Sequence, residues 1–121
     1  MALYRVRLTL ARNEDYPAGS AAHGYDLVVP LDKAMRLDAE GWRAEAKKCV
    51  VRRFWEGEPD QVGLLRHIGR GWAIDYDAKT IEADEPFFKL DRHEFQNGEY
   101  ISVTEQDGEM QTFRIVSVEP V

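Results

Sequence analysis

Residues 3–11 alternate cleanly, with Tyr4, Val6, Leu8 and Leu10 on one side and Arg5, Arg7 and Thr9 on the other. A period of two with one wet side is the signature of a half-buried β-strand. Residues 25–31 repeat it, placing Tyr25, Leu27, Val29 and Leu31 together. Pro30 has no N–H to give a ladder, so this strand is expected at a sheet edge or close to its own end there. The stretch from Arg12 to His23 is rich in turn formers and small residues and predicts a long loop, of the functional or mobile kind.

One helix is expected, over about 38–48. Asp38 is a suitable N-cap, and Ala39, Trp42, Ala46 and Cys49 recur at helical spacing. Lys47 and Lys48 fall in its last turn, where the helix dipole favours cations. Gly41 costs about 1 kcal/mol relative to alanine, which predicts a ragged start.

From Val50 onward the pattern is β. Val50 to Trp55 is β-branched and aromatic, and Glu56 to Asp60 is a turn cluster. Leu64 to Ile68 and Trp72 to Tyr76 flank Gly69-Arg70-Gly71, a hairpin connection. Residues 77–86 are acidic and unpatterned, followed by short β runs at Phe87–Leu90 and His93–Phe95. Tyr100–Glu105 and Met110–Val118 meet through Asp107-Gly108. A two-residue turn there sets Glu105 against Met110, Val103 against Thr112 and Ile101 against Arg114. These last two strands are largely apolar on both sides, as closure of the sheet would require. The fold expected is mainly β: a single domain over 1–121, a small antiparallel β-barrel or rolled sheet of about seven or eight short strands with one short helix.

With 121 residues the chain can bury a core without staples. No run approaches 18 apolar residues, so no spanning helix is expected. The opening Met-Ala-Leu-Tyr-Arg-Val-Arg-Leu alternates where a signal peptide needs an unbroken apolar run. Cys49 is the only cysteine, which rules out an internal disulfide and a cysteine-based zinc site. Together these point to a bacterial-type cytoplasmic protein with no membrane partner.

The net charge of −6 is uneven: residues 1–42 sum to −1, 43–73 to +3 and 74–121 to −8. An acidic whole argues against a dedicated nucleic-acid binder. Oppositely charged strands pairing side by side account for most such asymmetry.

Phosphate-loop, dinucleotide, nucleophile-elbow and His-Glu-x-x-His patterns are absent. The acidic run from Asp75 to Glu85 lacks the glycine and terminal glutamate of a calcium loop, so it is expected as a solvated surface. His23, His67 and His93 are isolated, with no ligand spacing between them, and neither a metal nor a cofactor is expected. No serine is tied to a histidine and an acid by local sequence.

The candidate partner site is Arg52, Arg53, His67 and Trp72, in the one segment of positive charge. Arg53 and Trp55 share one face of their strand and Arg52 and Phe54 the other, so one arginine must turn inward. An inward arginine needs a buried acid, and Asp75 is the expected one. Left free instead, it would grip a carboxylate or phosphate. The leading expectation is a non-catalytic binding or interaction module whose partner is a protein or a small anion. Its rivals are a small-barrel enzyme or anion binder built on Arg53, His67 and Trp72, and an RNA-associated barrel using 43–73.

Overall fold

A computed structural model describes residues 2–68, 71–76, 85–87, 94–105 and 108–121. Its strands are β1 (Ala2–Leu10), β2 (Ser20–Leu31), β3 (Val50–Trp55), β4 (Glu58–Ile68), β5 (Gly71–Asp75), β6 (Glu85–Phe87), β7 (Tyr100–Thr104) and β8 (Met110–Pro120). Each pairs antiparallel with the next, and β8 returns to β1. Seven of these described strands have five residues or more and make the curled sheet. The three-residue β6 bridges the remaining gap, meeting β7 at the pair Phe87 and Val103.

Alternation builds the interior. Val6, Leu8 and Leu10 of β1 and Tyr25, Leu27, Val29 and Leu31 of β2 all point inward, and all are buried. Ile101 and Val103 of β7 and Phe113 and Ile115 of β8 complete the opposite wall. Burial of this continuous apolar face, at about 25 cal/mol per Å², is the main force holding the strands together. Pro30 sits beyond the last β2–β3 pair, Leu27 with Val51, so it marks a strand end. Its free carbonyl accepts a hydrogen bond from the Asp38 N–H at 3.0 Å.

The helix α1 spans Ala39–Glu45 and runs on into a 3₁₀ turn at Ala46–Lys48. The Asp38 carboxylate caps it, accepting from the N–H groups of Glu40 and Gly41 at 3.1 and 3.2 Å. Trp42 anchors it to the barrel by donating its indole N–H to the Leu65 carbonyl at 2.7 Å.

Four local expectations are corrected. The loop after β1 ends at Gly19, and residues 20–24, His23 among them, belong to β2. The β3–β4 turn is only Glu56-Gly57, so Pro59 and Asp60 are strand residues. Glu94 and Phe95 are not in a strand; Phe95 is a core plug whose N–H donates to the Met35 carbonyl at 2.7 Å.

The β7–β8 register is also one residue off the two-residue turn. Val103 faces Gln111, and Ile101 faces Phe113. The ladder closes instead by the Glu105 N–H donating to the Glu109 carbonyl, with Gly108 at φ +86° just inside. A single-residue slip exchanges the two faces of a strand. Only the observed register puts Ile101 and Phe113 on the buried side together. The expected turn residues Gly69, Arg70 and Asp107, the acidic run 77–84 and positions 88–93 with His93 lie outside the described residues.

Candidate functional site

The alternation of β3 turns Arg53 inward and Arg52 outward. Arg53 lies beside Glu105, not Asp75: Nη2 donates to Oε1 at 3.3 Å and Nε to Oε2 at 3.5 Å. The Tyr25 hydroxyl donates a short hydrogen bond to the same carboxylate. At the rim, Glu58 Oε1 accepts from Arg53 Nη1 at 3.4 Å, and the guanidinium stacks 4.4 Å above the Trp55 ring. Burial works against the charge on Arg53, but the neighbouring Glu105 outweighs it and holds the guanidinium above its ordinary pKa. The acid is supplied across the barrel interior because strand closure brings β7 opposite β3. Asp75 is taken instead by Arg66, at 3.4 Å.

Next to this pair lies a latch that local sequence reasoning missed. Buried His23 packs edge-on to Trp55, with ring centroids 4.4 Å apart. Its Nδ1 is 2.6 Å from Ser20 Oγ, and its Nε2 is 3.3 Å from the Tyr16 hydroxyl. Ser20 Oγ also accepts from the Ala22 N–H at 3.2 Å. The far nitrogen of His23 thus faces a phenol. The arrangement ties the 11–19 loop to the barrel. The spacing Ser20-x-x-His23 was its one visible sequence signal.

His67 and Trp72 do come together, as a β4–β5 pair with ring centroids 4.5 Å apart. Trp42 of the helix closes over both, at 6.0 and 6.2 Å. This cluster is remote from the arginines. Arg53 pairs with Gln61 and Trp72 with His67, so six residues of β4 separate them, about 20 Å at 3.3 Å per residue. The two hairpins turn at opposite ends of β4, which is why the four candidate residues do not form one pocket.

Arg52 stands on the outer face. A row crosses three strands there, Arg7 to Asp26 to Arg52. Arg7 meets Asp26 at 3.2 Å, and Arg52 meets both Asp26 and, at 3.2 Å, Asp60. The hydrogen bond to Asp26 raises the Arg52 pKa above its ordinary value. Phe54 lies under both guanidiniums, 4.5 Å from that of Arg7 and 5.7 Å from that of Arg52. Beside this row, three aliphatic side chains stay in solvent: Val50 is 38% exposed, Val62 59% and Leu64 41%. They are contiguous, since Val50 pairs with Leu64 and Arg52 with Val62.

Among the described residues no three His, Cys, Asp or Glu side chains gather as a metal-holding group. No helix there is long and apolar enough to cross a membrane. No family model, curated protein or solved structure matches this chain.

Proposed function

We propose that the protein is a non-catalytic, cytoplasmic interaction module that holds a protein partner on the outer face of β3 and β4. The observation that carries this reading is the apolar patch of Val50, Val62 and Leu64 bordered by paired charge. An apolar centre with a polar, solvated rim is the anatomy of a protein interface. Scattered exposed aliphatics need no explanation, whereas contiguous ones mark contact surfaces. The Arg7–Asp26–Arg52–Asp60 row supplies the rim, and Arg52 is the member of the sequence-derived candidate set that stands in it. Engagement of Arg53 by Glu105 supports the same reading, because the inward cation that an anion-gripping pocket would need is already neutralised.

The test is the double substitution Val62→Asp/Leu64→Asp. Both side chains face solvent, so the melting temperature should stay within a few degrees of the parent. A partner that co-elutes stoichiometrically with the parent should be lost. An unchanged complex, with the fold intact, contradicts the reading.

A further inference from the structure

On another part of the barrel surface, β1, the start of β2, β7, β8 and the 11–19 loop line an open groove of about 740 Å³. That is a ligand-sized volume. Its described lining holds two arginines, Arg12 and Arg114, and no carboxylate, in a chain that carries 22 acidic residues. Neither guanidinium has an ion-pair or hydrogen-bond partner among the described residues, unlike Arg7, Arg52, Arg53 and Arg66. A row runs across the sheet from Tyr100 to Arg114 to Thr9. Tyr100 is 54% exposed and pairs across the sheet with Arg114.

The groove is also held in shape. Gly19 has φ +75°, and a Cβ there would come within 2.8 Å of the Leu10 carbonyl oxygen, so the loop can lie this close to β1 only with glycine. The Gly19 N–H donates to the Tyr16 carbonyl at 2.9 Å. The Tyr16–His23–Ser20 latch then fixes the far wall.

We infer that this groove binds a small phosphorylated ligand carrying a flat ring, of the nucleoside monophosphate class. Arg12 and Arg114 take the phosphate, since guanidinium forks match phosphate oxygens. The Thr9 and Thr112 hydroxyls offer further hydrogen bonds, and the ring stacks on Tyr100. This site does not depend on the β3–β4 interface.

Titration of the full chain with adenosine 5′-monophosphate, inorganic phosphate and adenosine, followed by amide NMR shifts, tests it. The nucleotide should bind saturably and more tightly than either part alone. Arg12→Ala and Arg114→Ala should each weaken it about tenfold or more, as expected for losing a charge-assisted hydrogen bond. Arg43→Ala on the helix and Val62→Asp/Leu64→Asp should leave it unchanged. Absence of binding by any probe at millimolar concentration overturns the proposal, as does equal weakening by Arg43→Ala. Phosphate binding as tightly as the nucleotide overturns the assignment of a ring-bearing ligand. A short single-stranded oligoadenylate binding far more tightly than the monophosphate would move the ligand to nucleic acid and overturn the small-ligand assignment.

Discussion

Replacing Arg53 by methionine keeps most of the side-chain stem that packs in the barrel while removing the charge that faces Glu105. The Arg53 and Glu105 side chains are only 11% and 6% exposed, so the carboxylate left behind stays buried, with the Tyr25 hydroxyl donating to it among the described residues. Removing one member of a buried pair costs about 3–5 kcal/mol. Contacts of 3.3 and 3.5 Å are longer than the best charge-assisted bonds, which places the expected loss near the lower end, about 3 kcal/mol. The double variant Arg53→Met/Glu105→Leu strands no charge. Its main loss is the Glu105 acceptor for the Tyr25 hydroxyl, about 1–2 kcal/mol, so it should be more stable than Arg53→Met alone. Urea unfolding followed by tryptophan fluorescence closes this cycle, because Trp55 lies against the Arg53 guanidinium. If Arg53→Met costs less than about 0.5 kcal/mol, or if the two single effects simply add, Arg53 is not a buried, paired cation.

Two further outcomes follow from the same packing. A Cβ at residue 24 would collide with the Leu8 carbonyl oxygen on the paired strand and press on the Phe54 ring. Gly24→Ala should therefore destabilise by at least about 1–3 kcal/mol in the same urea assay, as overpacking does. A cost below about 0.5 kcal/mol would mean that β1 and β2 lie farther apart. Cys49 is fully buried, its thiol donates to the Glu45 carbonyl at 3.4 Å, and burial with the nearby Glu45 raises its pKa from 9.0 to about 11. The folded state thus keeps a proton that the unfolded chain releases, so this thiol's contribution to stability is lost as pH rises from about 9 to about 11. Iodoacetamide should label native Cys49 far more slowly than the urea-unfolded chain. Equal rates would contradict its burial.

The parts of this fold that were legible in the sequence are those decided by local pattern. β1 and β2 each have one wet face, so alternation alone named their buried side chains. Asp38 marked the helix start because a cap satisfies N–H groups only two and three residues on. The stretch Ala21-Ala22-His23-Gly24 shows no such contrast, so the first half of β2 passed for loop. The β7–β8 register went astray because Asp-Gly fits more than one hairpin geometry. It is the burial of Ile101 against Phe113, a tertiary demand, that selects among them.

The candidate site was legible only in halves. Strand period required one of Arg52 and Arg53 to turn inward, and the Gly69-Arg70-Gly71 signal brought His67 beside Trp72. That those pairs lie at opposite ends of β4 follows from the short Glu56-Gly57 turn, which lengthens the strand. The choice of Glu105 over Asp75 depends on closure of the sheet, and no local spacing records it. The outer patch needed the pairings of Val50 with Leu64 and Arg52 with Val62 before its members could be seen as neighbours.

The outer face of β3 and β4 is the proposed seat of the partner. A photo-cross-linking amino acid placed at position 62, with a second chain carrying it at the exposed Val116 of β8 as control, tests this most directly in cells. One dominant cross-linked protein is expected from position 62, absent from position 116 and abolished when Leu64→Asp is added. Cross-links of equal yield from both positions, or a product from position 62 that survives Leu64→Asp, would contradict it.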